Sequence, residues 1–211
     1  MPAYDPEFSR RTLFDALIDA RHRFGGKRVI LEDQDRKPLT YTDLIRACFA
    51  LGRKIAALTS ANERVGVLLP TSMGGAVVFF AMQAIGRTPV MLNFTAGSRN
   101  LKAACAAAGV RRILSSRRFA AQARLDDVVD DLKETVEFTW LEDVRKTIGP
   151  ADKAFAVAAS AFARRFRSGG DPDAIAVILF TSGSFGAPKG VGLSHANILS
   201  NVAQVFGHIE I

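Results

Sequence analysis

Two periodicities organise this chain. Short apolar runs of strand length alternate with longer stretches in which apolar positions recur every three or four residues, the spacing of a helical face. Residues 27–31 (KRVIL) predict a strand, a polar turn follows through Asp33, Gln34 and Asp35, and 39–41 predicts a second extended piece. The period then changes. Thr42 is a suitable N-cap, and Leu44, Cys48, Leu51, Ile55 and Leu58 line one helical face while Arg46, Arg53 and Lys54 fall elsewhere.

The alternation continues with strands at 64–69, 89–92, 111–114 and 136–141 and helices near 76–85 and 99–108. Another helix, capped by Ser116, runs to about Lys133. The strands are continuous apolar runs, as expected where helices cover both faces of a parallel sheet. The expected fold is therefore α/β, a mostly parallel sheet with helices on both faces. Residues 65–86 carry no charge and are long enough for a membrane span, but Pro70, Thr71, Ser72, Met73, Gly74 and Gly75 are turn chemistry and split the run into a strand and a buried helix. The pattern weakens over 142–173, an Ala-rich, Arg-ended segment closed by SGGDPD. The expected organisation is an α/β subdomain at 1–141, a linking helix and loop at 142–173, and a strand, loop and helix at 174–211 forming an incomplete second subdomain.

Composition narrows the class. Of 211 residues 48% are hydrophobic and 23% charged, with 17 Gly and 8 Pro, which excludes disordered and collagen-like chains. Cys48 and Cys105 form no CxxC and have no His cluster nearby, so neither a disulfide framework nor a structural zinc site is expected. The N-terminal sequence lacks an export signal, and a reducing cytoplasm is the expected location. The net charge of +7 favours acidic partners. Arg111 and Arg112, Arg117 and Arg118, and Arg164, Arg165 and Arg167 read as solvated helix faces, with a carrier protein, a phosphorylated substrate or peripheral association with an anionic membrane as the alternatives. No nucleic-acid partner is expected, because no recognition motif accompanies the charge.

Candidate chemistry concentrates after residue 173. A buried-strand run at 176–180 leads directly into Thr181, Ser182, Gly183, Ser184, Phe185, Gly186, Ala187, Pro188, Lys189 and Gly190. Glycines let backbone N–H groups converge on phosphate oxygens, the hydroxyls add donors, and Lys189 adds a mobile positive charge. The spacing is neither a Walker A loop nor a dinucleotide fingerprint. On glycine and serine content alone, an ordinary connecting loop ending in Lys remains open.

These ten positions resemble the phosphate-binding signature of adenylate-forming enzymes, TSGTTGxPKG, which follows an apolar strand and precedes a Ser-His or Thr-His pair and an Asn. LTYTDL at 39–44 is similar to the family's early LTYxEL segment, and VGVLLPTS with FFAMQAIGRTPVMLNFTAG is similar to its next block. MLNFTAG at 91–97 most resembles the acyl-[acyl-carrier-protein] synthetase part of bacterial acylglycerophospholipid acyltransferases. The resemblance implies an acid-thiol ligase using ATP and Mg²⁺, with a fatty acid as substrate and acyl carrier protein or coenzyme A as thiol acceptor. It also implies that Thr181, Ser182, Gly183, Ser184, Gly186 and Lys189 hold the β- and γ-phosphates.

Phe185 departs from the family, which places Thr or Glu there. His195 matches the family's His and reads first as a residue that packs at a helix start. Phe79, Phe80, Met91 and Phe94 could line an acyl pocket but read first as core. The chain ends at Ile211, before the regions where the family carries its adenine-binding motif, acidic Mg²⁺ residue, ribose-binding Asp and late catalytic Lys. No catalytic residue or metal ligand is assigned, and the expectation is an N-terminal fragment inactive by itself. The alternative is a non-catalytic phosphate- or protein-binding α/β module.

Overall fold

The computed structural model describes residues 6–33, 38–181 and 188–208. A small antiparallel pair, β1 (Val29–Leu31) and β2 (Leu39–Thr40), precedes the main sheet. In that sheet β3 (Arg64–Leu68), β4 (Thr88–Met91), β5 (Arg112–Ser115), β6 (Glu137–Trp140) and β7 (Ile175–Thr181) are parallel, whereas β8 (Lys189–Ser194) pairs antiparallel with β7. The six strands lie in the order β6-β5-β3-β4-β7-β8.

Side-chain alternation along β3 sends Val65 and Val67 to one face and Gly66 and Leu68 to the other. On the first face they meet α1 (Leu13–Phe24), α2 (Tyr41–Leu58), α3 (Met73–Ala84) and α8 (Pro150–Ala161) in a core containing Ile18, Ile45, Cys48, Ile55, Met82 and Ala159. On the second, Leu68, Val90 and Ile178 meet α4 (Ser98–Ala108) and α6 (Asp126–Lys133) through Leu101, Cys105 and Leu132. The expected α/β architecture with both faces covered is thus present. Within 65–86 the chain leaves β3, turns, and enters α3 under a Ser72 cap whose Oγ accepts the Gly75 N–H at 3.1 Å. No helix among the described residues is long and apolar enough to cross a membrane.

Several boundaries differ from expectation for local reasons. Thr40, not Thr42, caps α2: its Oγ1 accepts the Asp43 N–H at 3.2 Å while its backbone is extended. Leu58, at the end of that helix, is 43% exposed rather than core. The helix beginning at Ser116 breaks into α5 (Arg117–Gln122) and α6, because Arg124 takes a left-handed backbone conformation, φ 53°.

Residues 142–173 are more than a link. Across them lie the rest of α7 (Leu141–Lys146), then α8 and α9 (Ala163–Phe166). Ala156, Ala159 and Ala163 are small enough for α8 and α9 to lie close on the first face. Asp152 fixes α8 to α2, accepting from Lys54 Nζ at 2.8 Å and from the Gly149 N–H at 2.9 Å. These contacts hold its carboxyl below the usual range, led by the Lys54 hydrogen bond. β7 then enters the sheet beside β4, with Val90 opposite Ile178, so one sheet joins both of the expected subdomains.

β8 departs from expectation. Its sequence, KGVGLS, reads as loop, but the glycines serve packing against β7. A Cβ on Gly190 would stand 3.3 Å from Phe180 Cε1, and one on Gly192 would stand 3.1 Å from Ile175 Cδ1. The absent side chains let those β7 residues lean across the strand pair.

Candidate functional site

All five parallel strands end at the same edge of the sheet, and this edge gathers the candidate residues. Ligands of open α/β sheets bind outside the carboxyl ends of the strands, where successive crossovers leave for opposite faces. That condition is met here: the helix after β3 lies on the first face and the helix after β4 on the second. β7 delivers Thr181 to this edge. Its parallel register with β4 brings the MLNFTAG exit, through Asn93, to the same end. There Asn93 Oδ1 accepts the Thr95 N–H at 3.0 Å, starting a 3₁₀ turn over Phe94–Ala96.

Across the hairpin, Thr181 is registered opposite Lys189 and both residues are exposed. Lys189 has no side-chain partner among the described residues. Ser182, Gly183, Ser184, Gly186 and Phe185 lie outside the described residues. Two of the six expected phosphate-binding residues are therefore described, and they stand facing each other at the two stems of the loop.

The hairpin is anchored from behind. Gln83 Nε2 on α3 donates to Ala176 O at 2.8 Å, and this buried amide ties β7 to the helix beneath it. After β8, Ser194 and Asn197 cap α10 (His195–His208) reciprocally: Ser194 Oγ accepts the Asn197 N–H at 3.1 Å and Asn197 Oδ1 accepts the Ser194 N–H at 3.0 Å. The next two N–H groups, of His195 and Ala196, donate to Ala174 O and Pro172 O. The helix start is satisfied by the chain itself and is not an anion site.

His195 packs and caps. It is buried, and its Nδ1 accepts the Leu13 N–H at 3.1 Å. Burial holds its pKa below the ordinary value, opposed by the charges of Asp15 and Asp171. Phe79, Phe80 and Met91 pack against the core clusters, and Phe94 stacks edge-on with Phe119 at 5.1 Å between ring centroids. They serve the core, as the sequence suggested. A groove of 390 Å³ lies by Leu58, Phe138, Trp140 and Val144 at the β6 edge, across the sheet from the Thr181 and Lys189 pair.

The basic runs are in large part internally paired. Arg112 meets Glu137 at 2.6 Å, Arg117 meets Asp143 at 2.6 Å, and Arg167 meets Asp15 at 2.5 Å. Arg164 bonds Asp19. Sequence reasoning missed Gln83, since one amide in an apolar helix carries no motif.

Comparison with known proteins agrees with this fold. The phosphinothricin tripeptide synthetase PhsC of Streptomyces viridochromogenes is 29% identical over 211 residues, covering 97% of this chain and 18% of that protein. The long-chain-fatty-acid–AMP ligase FadD32 of Mycolicibacterium smegmatis is 25% identical over 190 residues, covering 82% of this chain and 26% of that protein. The fold superposes on VinN, solved with 3-methylaspartate, with a TM-score of 0.73 at 22% identity, covering 94% of this chain and 52% of that one. The chain thus spans about half of the solved relative and a smaller share of the other two. The expectation that carrier-protein synthetases would be most similar finds no support in these relatives, one a peptide synthetase and one an AMP ligase. MLNFTAG is seven residues, and a likeness spread over the whole chain outweighs it. The AMP-binding enzyme model matches residues 18–210, and the chain belongs to that family.

Proposed function

We propose that this chain supplies the phosphate-gripping part of an ATP-dependent acyl-activating ligase. In the reaction a carboxylate oxygen bonds to the α-phosphorus of ATP, the bond to the β-phosphate breaks, and pyrophosphate leaves. A thiol sulfur then bonds to the acyl carbon, AMP departs, and the thiol proton passes to solvent. The observation that carries this reading is the register of Thr181 against Lys189 at the open end of the β7–β8 hairpin, at the carboxyl edge of the sheet. A hydroxyl and an ammonium there suit the charge of a departing pyrophosphate, and fixed donors aimed at developing charge are the strongest aid a protein gives to such a step.

Ser182, Gly183, Ser184 and Gly186 complete the cradle in this proposal. Mg²⁺ would neutralise phosphate charge alongside Lys189. Among the described residues no group of three His, Cys, Asp or Glu side chains could hold a metal ion, so no step is assigned through one. The similarity to FadD32 favours a fatty acid, with acyl carrier protein or coenzyme A as acceptor. The longer match to a tripeptide synthetase supports a second reading, in which the acid is an amino acid. Two free, buried cysteines suit a reducing cytoplasm.

The test is exchange of labelled pyrophosphate into ATP by the full-length protein, with a long-chain fatty acid in one series and amino acids in another. Lys189→Ala should lower exchange about a hundredfold. Equal rates in the wild type and the variant would remove Lys189 from the reaction, and exchange only with amino acids would select the second reading.

A further inference from the structure

Helix α8 buries Asp152, Ala156, Ala159 and Ser160. A helix on the outside of a domain ordinarily turns a polar face to water. This one does not: Ala154, Val157, Ala158 and Ala161, at helical spacing, are all exposed, Val157 to 51%. Phe162 directly continues the stripe at 65% exposure, and Phe166 is exposed on the next turn.

Cations border this stripe. Lys153 and Arg165 flank it as exposed residues. Arg21 Nη1 donates to Ser160 O at 2.6 Å, which brings the basic end of α1 alongside. There exposed Phe24 is covered by Arg23 and Arg28, whose guanidinium carbons stand 5.3 and 5.2 Å from its ring centroid. The nearby acids are already engaged: Asp15 by Arg167, Asp19 by Arg11 and Arg164, and Asp152 by Lys54. What remains outward is apolar and positive.

We propose that the outer face of α8, with Phe162 and the basic end of α1, docks on an anionic lipid bilayer. Charge complementarity selects this occupant. A convex stripe of small apolar residues ending in aromatic rings, with guanidinium groups at its border, matches a helix lying in a headgroup layer. Each cation near a negatively charged leaflet adds to the attraction, and the chain's net charge of +7 has the required sign. This surface is separate from the phosphate hairpin, and vesicle binding needs no nucleotide, so its test is independent of the ligase reading.

The experiment is co-sedimentation of the 211-residue chain with vesicles of phosphatidylcholine alone and of equal parts phosphatidylcholine and phosphatidylglycerol. The protein should pellet with the mixed vesicles and not with the neutral ones, and high salt should release it. Val157→Ser with Phe162→Ser, at exposed positions that leave the core intact, should lower the bound fraction about tenfold. In a second measurement, the emission that Phe162→Trp adds to the Trp140 signal of the wild type should shift to the blue when mixed vesicles are added. Equal binding to both vesicle types, or binding unchanged in the double variant, overturns the proposal. Absence of vesicle binding also overturns it, and if acyl carrier protein then shifts the emission of the Phe162→Trp variant, the face docks protein instead.

Discussion

The imidazole Nδ1 of His195 accepts the backbone N–H of Leu13 at 3.1 Å, across 182 positions of sequence. Leu13 is the first residue of α1, so its N–H has no partner inside the helix. Thr12 Oγ1 takes the Asp15 N–H, and His195 takes that of Leu13. α10 thereby caps α1.

This contact makes stability depend on pH. His195 is held neutral by burial, its pKa lowered from 6.5, so the unfolded chain binds more protons than the folded one below that value. Its stabilising contribution is fully present above pH 6.5 and is lost as pH falls through the lowered folded value. Urea unfolding at about pH 7.5 and about pH 5.5 should show this loss, and His195→Ala should flatten it. The same variant leaves the Leu13 N–H buried without an acceptor and should cost about 1–3 kcal/mol at the higher pH. A variant retaining the wild-type pH dependence would contradict the assignment.

Asp15 joins the first helix to α9. Its Oδ1 accepts from Arg167 Nε at 2.5 Å, and Thr12 Oγ1 stands 2.8 Å from its Oδ2. With the carboxylate buried, Asp15→Ala should cost about 3 kcal/mol, because it leaves a guanidinium in a partly buried place without its counter-charge. Chemical denaturation should show the drop, and Asp173→Ala, which removes an exposed partner of Arg10, should change stability by less than about 1 kcal/mol.

Gly66 sits in the middle of β3 where no side chain fits. A Cβ would come within 2.8 Å of Ile113 Cγ1 and 3.1 Å of Leu92 Cδ1, both core side chains. Gly66→Ala should destabilise by about 1–3 kcal/mol through overpacking, despite the better strand propensity of alanine. A thermal midpoint equal to that of the wild type would show that the second core yields more easily than its packing implies.

Neither thiol should react in the native state. Burial pushes the Cys105 thiol up to about 11 and raises that of Cys48 as well. At about pH 8 a disulfide reagent should label neither residue before unfolding and both afterwards. Fast native labelling of either would show an opening of its core.

Much of the architecture was legible because burial imposes a pattern. The runs at 64–69 and 89–92 are apolar on both sides, as a doubly covered strand requires, and Leu44, Cys48 and Ile55 mark a face that is buried in α2. What escaped detection depends on partners distant in sequence. β8 reads as loop until β7 supplies Phe180 and Ile175 to cover its glycines. The part played by 142–173 follows from Ala156 and Ala159 meeting α2, and small residues in sequence look the same whether they approach another helix or face water. The signature from Thr181 to Lys189 was legible as a resemblance, because it rests on residue types at fixed spacing; of it the structure describes Thr181 and residues 188–189.

Leu13, Ala176 and Leu199 share one small core, with Phe8 packed at its edge. During synthesis, the first helix leaves the ribosome long before the strand and helix that will shelter Leu13. Until Leu199 emerges, that seam stays wet and the nascent segment around α1 can hold at most a partial fold, so chaperones have a long opportunity there.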